Sequence, residues 1–193
     1  MSSLLIKILN ILDTALNIPR VGWVQRGVPK DIAESVGEHE LFTSYLTLII
    51  CSEARRLGTS IDLGKCLSMA LIHDAHETLI GNVGNDVRSM IEDWRGIEVK
   101  VFESLGLPGE LNEYFREYRY GLSVEGKLVN IADKLATFIR ACKYATIGYD
   151  MRELINNYEE SINRLITELP SNMGKVIQEL ITQAKPLCNA KSV

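Results

Sequence analysis

The sequence lacks several features that would assign a protein to a well-defined class. It has four cysteines but no Cys-x-x-Cys pair, so no zinc-ribbon or dithiol motif is present. Three of the four lie in apolar helical stretches, which predicts buried free thiols in a reducing compartment. The longest apolar run, at 46–51, is far shorter than the roughly 20 residues of a membrane span. With no basic segment preceding an apolar one at the start, we expect a cytoplasmic protein without a membrane partner.

A concentrated positive charge is also missing. The chain has 21 Lys and Arg residues against 25 Asp and Glu, and no Lys/Arg cluster follows one face of a predicted element. Because nucleic-acid binding depends on such a surface, we expect no nucleic-acid partner. The charge balance does not exclude a small anionic substrate, since a bound metal would supply local positive charge whatever the net charge of the chain.

Long stretches with strand-like alternation are absent as well, and apolar residues recur at helical spacing almost throughout. A first helix is predicted over 4–16. Ser35 and Glu38 form a capping-box pattern that starts a helix ending near residue 56, and Asp62 caps another that ends near 81. Further helices are predicted at about 86–105, 110–118, 123–146, 150–168 and 171–185. Without repeats or a linker, residues 1–193 are expected to form one all-α domain, a helical bundle of seven or eight helices.

Histidines and carboxylates occur in an order typical of a metal site. His73 and Asp74 are adjacent, His39 lies upstream and Asp133 downstream, the latter in apolar helical surroundings. Burying a lone carboxylate is costly unless it is paired or binds a metal. Two imidazoles and two carboxylates suit one divalent cation such as Mn, Co, Ni, Zn or Mg. Such a cation lowers the pKa of a bound water and makes hydroxide available near neutral pH.

Each of these residues, taken alone, has an ordinary alternative. His39 is compatible with a surface or core histidine, and Asp133 with half of an ion pair to Lys134 or Arg140. His76 is expected to support the site from outside the ligand set or to be solvated. The spacing around His73 is not His-Glu-x-x-His, so a zinc-protease motif is excluded.

Three longer motifs follow in order. The first combines Arg20-Val-Gly-Trp23 with Glu34-Ser-Val-Gly-Glu-His39. The second is Ala70-Leu-Ile-His73-Asp74-x-x-Glu77 with a glycine at 81, and the third is Glu125-Gly-Lys-Leu-Val-Asn-Ile-Ala-Asp133-Lys-Leu135. Over residues 20–144 the chain resembles the HD-domain metal-dependent phosphohydrolases, in particular their 5′-deoxynucleotidase-like branch. Residues 145–193 would add C-terminal helices to this fold.

The resemblance implies a role for each matching residue. The metal ligands would be His39, His73, Asp74 and Asp133. Glu77 would be a catalytic carboxylate that orients or deprotonates the attacking water. Arg20 would hold the substrate phosphate with its guanidinium fork, and Trp23 would help to position the nucleotide. The alternative for Arg20 and Trp23 is an anchoring role in an ordinary loop.

One position departs from the family pattern. The family has Gly-Asp after the catalytic glutamate, whereas this chain has a glycine followed by Asn82. An amide cannot give up or accept a proton near neutral pH, although it can orient a water or bond to the sugar. Asp86, one helical turn away, is a candidate to replace the missing acid. The resemblance therefore does not decide whether catalytic activity is intact, slowed or lost in this chain.

The function predicted on this basis is release of inorganic phosphate from 5′-(deoxy)nucleoside monophosphates. The alternatives are hydrolysis of another nucleotide, such as a di- or triphosphate, a cyclic nucleotide or an alarmone, and metal and nucleotide binding with little turnover. Wide apolar helix faces after residue 120 suggest a homodimer.

Overall fold

The computed structural model describes residues 3–189, which form eleven helical segments and no β-strand. Eight of the helices have ten residues or more, which confirms the predicted all-α fold. Among these residues, no helix has the length and apolarity needed to cross a membrane. The helices are α1 (Leu4–Asn17), α2 (Val21–Val24), α3 (Val36–Arg56), α4 (Leu63–Ile72), α5 (Glu77–Ile80), α6 (Asn85–Ser89), α7 (Trp94–Ser104), α8 (Gly109–Tyr120), α9 (Val124–Thr146), α10 (Arg152–Ile166) and α11 (Ser171–Asn189).

The starts of the long helices follow from side chains that bond to free backbone amides. The Ser35 hydroxyl accepts from the Glu38 amide at 3.1 Å, and the Glu38 carboxylate accepts from the Ser35 amide at 2.7 Å. This reciprocal pair is the predicted capping box, and it fixes the first residue of α3. Asp62 starts α4 in the same way, by accepting from the Lys65 amide at 3.0 Å.

Helix α9 occupies the centre of the fold. It packs against α3, α4, α8, α10 and α11. Val129, Ile131 and Thr137 are buried and lie on different sides of the helix, so most of the circumference of α9 is covered by other parts of the chain. A helix buried on so many sides holds its side chains in fixed positions, and this helix carries Asp133.

The helix expected to run from Asp62 to about residue 81 is interrupted at 73–76. His73 Nδ1 donates to the Ala70 carbonyl at 2.7 Å, which is the carbonyl that the Asp74 amide would use in a continuous α-helix. The expectation of one continuous helix from Asp62 to about residue 81 is therefore wrong.

Two other boundaries differ from the predicted ones. The helix expected over 86–105 is broken at 90–93, where the Asp93 carboxylate caps α7 by accepting from the Gly96 amide at 3.0 Å. The loop expected between the first two long helices contains the short helix α2, which places Arg20 as its N-cap. Both differences arise from caps and short turns, which local apolar periodicity does not encode.

The cysteine prediction is wrong for two of the four residues. Cys142 of α9 and Cys188 of α11 form a disulfide with their Cα atoms 4.0 Å apart. They are 46 positions apart in the sequence, so only the packing of the two helices reveals the pair. Cys51 and Cys66 are free and buried, as expected, with their sulfur atoms 2.9 Å apart.

Candidate metal centre and active site

The imidazole of His39 enters the interior from the second turn of α3. It is fully buried, and its Nε2 lies 2.9 Å from Oδ1 of Asp133 on α9. The same nitrogen lies 3.9 Å from Oδ2 of Asp74. The capping box thus sets where α3 begins and, through the helical repeat, which way His39 points.

The interruption between α4 and α5 brings His73 and Asp74 to the same point. His73 Nε2 lies 3.3 Å from Oδ2 of Asp74 and 4.0 Å from Oδ1 of Asp133. The His39 and His73 rings are 5.2 Å apart between centroids and meet edge to face. Ligand atoms of His39, His73 and Asp74 all lie within 4.8 Å of one another, a His-His-Asp cluster that could hold a metal ion. The structure brings together all four residues that the resemblance names as ligands.

The chemistry of this donor set fits a divalent cation. His73 Nδ1 donates to the Ala70 carbonyl, so Nε2 is the ring atom that faces the two carboxylates, where either a proton or a cation can be held. That Nε2 atom is buried and makes no hydrogen bond. Burial opposes charging of this imidazole, but Asp74 and Asp133 outweigh it and raise the pKa of His73 to about 10. The cluster therefore favours positive charge at its centre.

Both carboxylates of the cluster are held in the ionised form. Burial acts against ionisation, yet His73 lowers the pKa of Asp74 well below its usual range. For Asp133, the hydrogen bond from His39 likewise outweighs burial and lowers its pKa. Tyr118 adds a hydrogen bond to Asp133 Oδ2 at 3.1 Å. Among the described residues, neither Lys134 nor Arg140 forms an ion pair with Asp133, so the ordinary ion-pair alternative is wrong.

Arg20 contacts the metal-ligand cluster directly. Its guanidinium donates to His39 Nδ1 at 2.8 Å and to the Thr137 hydroxyl at 3.1 Å. Because a guanidinium only donates, this contact uses the lone pair of Nδ1 and places the ring proton on Nε2, whereas a cation at Nε2 would need that proton on Nδ1 and would require Arg20 to release it. Burial and Arg20 together lower the pKa of His39, which agrees with a neutral ring. Arg20 also lines the adjacent cleft, so it touches both the cluster and the space for a substrate.

Glu34 is a site residue to which sequence reasoning gave no role. Its side chain is fully buried and accepts hydrogen bonds from Trp23 Nε1 at 3.3 Å and from Arg140 Nε at 2.9 Å. Its carboxylate lies 3.6 Å from the Arg20 guanidinium and 3.8 Å from His39 Nδ1. An acidic residue just before a capping box is normally expected to be solvent-exposed. The only sequence signal for a role of Glu34 was therefore its position in the first of the three motifs.

Trp23 lies mainly in the core rather than in the cleft. Only 2% of it is exposed, and its ring packs against Tyr144 with centroids 5.1 Å apart. It contributes to the cleft lining only through the small part that stays accessible. The structure thus gives Trp23 the anchoring role that sequence reasoning left open, and any contact with a nucleotide stays a prediction.

Glu77 begins α5 and is almost fully buried beside the cluster. Its Oε2 accepts from the Asn82 amide at 2.7 Å, and its Oε1 accepts from Arg88 at 2.6 Å. Asn82 Oδ1 accepts in turn from the Val21 backbone amide at 2.7 Å. Asn82 therefore joins the short helix next to Arg20 to the carboxylate of Glu77.

Two other candidates lie apart from the cluster. Asp86 is exposed at the cleft, and its carboxylate makes no hydrogen bond or ion pair to a described residue, so the structure does not bring it to Glu77. His76 is fully buried, with Nε2 3.3 Å from Glu98 Oε1, so the expectation of a solvated ring is wrong. Glu98 also forms ion pairs with Arg88 and Arg119, which line the cleft. These ion pairs link His76 to the cleft wall.

A cleft of about 500 Å³ opens over the cluster. Asp74, Glu77 and Asp133 line it together with basic residues drawn from separate parts of the chain. These are Arg20, Arg26, Arg88, Arg95, Arg119, Lys134 and Arg164. The expectation that Lys and Arg residues form no cluster on one face is therefore wrong at the cleft, because the fold gathers residues that the sequence disperses.

Comparison with known proteins agrees with this geometry. A family profile described as HD domain matches residues 13–168, which is most of the chain. The chain belongs to the HD domain family. The adjacent His73 and Asp74 are the residues that, in the motif quoted above, carry the resemblance to that family.

Curated relatives of this HD domain protein carry a common name. The protein named 5′-deoxynucleotidase HDDC2 from Bos taurus is 25% identical over 166 residues, which cover 83% of this chain and 77% of that one. The protein named 5′-deoxynucleotidase hdd1 from Schizosaccharomyces pombe is 26% identical over 150 residues, or 72% of each chain. Both of these relatives are named for the same hydrolytic activity.

Solved structures share the whole fold. A conserved hypothetical protein from Pyrococcus furiosus superposes with a TM-score of 0.79 at 31% identity, covering 91% of this chain and 98% of that one. An HD-domain phosphohydrolase from Listeria innocua superposes with a TM-score of 0.70 at 18% identity, covering 97% and 90%. At that identity the second comparison concerns the fold alone.

Proposed function

We propose that this HD domain protein is a metal-dependent phosphohydrolase that releases inorganic phosphate from 5′-nucleoside monophosphates, with deoxyribonucleotides as the preferred class. The observation that carries the proposal is the convergence of His39, His73, Asp74 and Asp133 beneath a cleft that also presents Arg20 and Glu77. Relatives named 5′-deoxynucleotidases support the choice of substrate class. The cleft volume lies in the range typical of sites for small molecules.

The four ligand residues would hold one divalent cation, with Mn, Co, Ni, Zn and Mg all compatible with their imidazole and carboxylate donors. A cation held there supplies an activated water and neutralises charge on the phosphoryl group. Thr137 and His39 hold the guanidinium of Arg20 at the cleft wall. From that position Arg20 can donate to a phosphate oxygen and orient phosphorus toward the cluster.

Glu77 is suited to take the proton of the attacking water. Burial, followed by the charge of Asp74, raises the pKa of Glu77 to about 7, near the pH at which a general base works best. The hydrogen bonds from Asn82 and Arg88 fix the orientation of the carboxylate. The leaving 5′-oxygen also needs a proton, and Asn82 cannot supply it, so this step depends on water or on another group.

A second candidate function is favoured by the seven basic residues of the cleft. Hydrolysis of a nucleoside di- or triphosphate would use basic side chains beyond Arg20 to hold the additional phosphates. Arg95, Lys134 and Arg164 line the cleft without a hydrogen bond or ion pair to a described residue, so they are available for this purpose. Because these three residues are far apart in the sequence, the sequence did not predict a site for additional phosphates.

A nucleotide panel separates the candidates. The protein is stripped of metal, reloaded with each of the five cations, and offered ribo- and deoxyribonucleoside mono-, di- and triphosphates, a cyclic nucleotide and an alarmone. Fastest release of inorganic phosphate from deoxyribonucleoside monophosphates is the expected result. Preferential release of phosphate or pyrophosphate from longer chains would select the second function. Tight binding without turnover would indicate that Asn82 has made this chain a binding protein.

A further inference from the structure

One ring nitrogen of His39 lies beside two groups that cannot bond to it at the same time. Nδ1 of His39, Nη1 of Arg20 and Oε2 of Glu34 form a triangle, in which the arginine nitrogen lies 2.8 Å from Nδ1 and 3.6 Å from the carboxylate oxygen. The third side, between the carboxylate oxygen and Nδ1, measures 3.8 Å. The side chains of His39 and Glu34 are fully buried, and that of Arg20 is 14% exposed. A single ring nitrogen thus has a donor and an acceptor beside it.

Glu34 is fixed in this place by donors on its other sides. Its Oε1 accepts from Arg140 Nε at 2.9 Å, and its Oε2 accepts from Trp23 Nε1 at 3.3 Å. Its backbone amide donates to the Tyr144 hydroxyl at 2.7 Å. A carboxylate oxygen has two lone pairs, so Oε2 keeps one of them for a further donor. The carboxylate is therefore held next to His39 whether or not the two groups are bonded.

The two neighbours of Nδ1 correspond to the two tautomers of the ring. With Arg20 donating to Nδ1, the ring proton is on Nε2, which lies 2.9 Å from Asp133 Oδ1. A cation at Nε2 needs the lone pair of that nitrogen, so the ring proton must then be on Nδ1. An N–H group at Nδ1 cannot bond to a guanidinium, which only donates, but it can donate to Glu34 Oε2. A cation at Nε2 therefore requires the tautomer that Glu34 stabilises and Arg20 opposes.

We propose that Glu34 is a positioning residue of the metal centre, which accepts the Nδ1 proton of His39 when a cation binds at Nε2, while Arg20 leaves that nitrogen. The ring has one proton in both arrangements, so the exchange changes the tautomer of His39 and not its charge. A carboxylate that accepts from the second nitrogen of a metal-binding imidazole fixes the ring and makes it a stronger ligand. This role rests on the part of the proposed function that places a cation at the cluster, and it does not depend on which nucleotide is hydrolysed.

The exchange also changes what Arg20 can contact. After the guanidinium leaves Nδ1, it still has the Thr137 hydroxyl at 3.1 Å and the Glu34 carboxylate at 3.6 Å, and it lines the cleft. A guanidinium has five N–H donors in one plane, so the donor released from His39 can turn to a phosphate oxygen in the cleft. Binding of the cation thereby frees the group proposed to hold the substrate, and by linkage a bound phosphate favours the cation.

Arg140 provides a control for a purely structural role of Glu34. Its Nε bonds to Oε1, whereas Oε2 is the carboxylate oxygen that faces His39. Arg140→Gln removes this ion pair and leaves Oε2 beside Nδ1. Glu34→Gln keeps the size of the side chain and removes the negative charge beside Nδ1. If Glu34 acts only by anchoring the segment that precedes α3, the two substitutions should have the same effect on cation binding.

The first measurement is the dissociation constant for Co²⁺, obtained without substrate by competition of the full-length protein with a chromophoric chelator. Glu34→Gln is expected to raise this constant about 10- to 100-fold, the effect typical of removing a carboxylate behind a metal-binding histidine. Arg140→Gln should leave it close to the wild-type value. Arg20→Met, which removes the competing donor, should not raise it. Thermal unfolding followed by circular dichroism checks that each variant is folded.

The second measurement needs wild type alone, so it remains decisive even where Glu34→Gln fails to fold. The chain has three histidines, and long-range proton–nitrogen correlation spectra show which nitrogen of each ring carries a proton. Adding Zn²⁺ to chelator-stripped protein is expected to move the ring proton of His39 from Nε2 to Nδ1. His73 should keep its Nδ1 proton throughout, because that nitrogen donates to the Ala70 carbonyl.

Three results would overturn the proposal. One is a His39 ring whose proton is on the same nitrogen with and without Zn²⁺. Another is a Co²⁺ dissociation constant that Glu34→Gln leaves unchanged, or that Arg140→Gln or Arg20→Met raises as much as Glu34→Gln does. In both of these cases wild type binds the cation, so the proposed function is unaffected. The last is a wild type that binds neither Co²⁺ nor Zn²⁺, which would refute the proposed metal centre as well.

Discussion

Glu77 has both carboxylate oxygens occupied, one by Asn82 and one by Arg88. Burial alone would favour the neutral acid, and these two donors oppose it, so that the pKa of Glu77 is raised only to about 7. A carboxylate held in this way is oriented for proton transfer without being a ligand of the His-His-Asp cluster. The proposed general base is therefore a different group from the residues that would hold the cation.

Replacing Glu77 by glutamine is expected to abolish phosphate release and to leave metal content unchanged. An amide keeps the size of the side chain but cannot accept the proton, and general-base help is worth about 10² to 10⁴-fold in rate. Glu153→Gln is the matched control, because Glu153 is exposed on α10 and its carboxylate makes no hydrogen bond or ion pair to a described residue. Turnover and elemental analysis are measured together. Loss of metal in Glu77→Gln would show that Glu77 is a ligand instead.

Arg20→Ala should weaken phosphate binding or transfer without unfolding the protein. The substitution removes a charged donor, typically worth about 1.5 to 3 kcal/mol, so kcat/KM should fall about 10- to 100-fold. Arg26→Ala, at a cleft residue that bonds only to the Gly22 carbonyl, should have a smaller effect. Unchanged kinetic constants for every active nucleotide would leave Arg20 as a structural anchor of the loop.

Asn82→Asp is expected to raise turnover on nucleoside monophosphates. The amide nitrogen lies 2.7 Å from Glu77 Oε2, and a carboxylate at that distance would share one proton with Glu77. The shared proton would be available to the leaving 5′-oxygen. The rate is compared with metal and substrate saturating. If Asn82→Asp changes nothing and Asp86→Asn slows the reaction, Asp86 fills the role; if neither alters the rate, protonation comes from elsewhere.

At the scale of helices, the sequence was informative where structure is local. The capping box at Ser35 located the start of α3 correctly, and the apolar spacing located α9 and α10 to within two residues. The break at His73 was missed because it depends on the His73 ring taking the Ala70 carbonyl, which the Asp74 amide would use in a continuous helix. The apolar pattern has no signal for this contact, since the His73 ring is also held by His39 and Tyr118, which are distant in the sequence.

The disulfide between α9 and α11 gives a prediction at the same scale. Cys188→Ser is expected to lower the free energy of unfolding by about 2 to 4 kcal/mol under oxidising conditions, because it releases a loop of 46 positions. The midpoint of thermal unfolding should fall by about 5 to 15 °C. The midpoints of wild type and variant are measured by calorimetry with and without a reductant. Equal midpoints of wild type and variant in oxidising buffer would show that the bond contributes nothing to stability.

At the scale of the whole molecule, the site could be predicted only in part. The resemblance supplied four residues that the fold brings within a few ångströms of one another. Glu34, Tyr118 and the basic lining of the cleft were not predicted. Each depends on α9 meeting five other helices, and residues that far apart in the sequence show no shared pattern.

The central claim is that one divalent cation at the four-residue cluster drives release of phosphate from a nucleotide. The most direct test is a titration of chelator-stripped protein with Co²⁺ or Mn²⁺, in which phosphate release from 2′-deoxyadenosine 5′-monophosphate is measured at each addition. The account predicts no release from the stripped protein, saturation at one equivalent per chain, and a weakened response in Asp133→Asn. Full activity of the stripped protein, or an unaltered titration of Asp133→Asn, would contradict it.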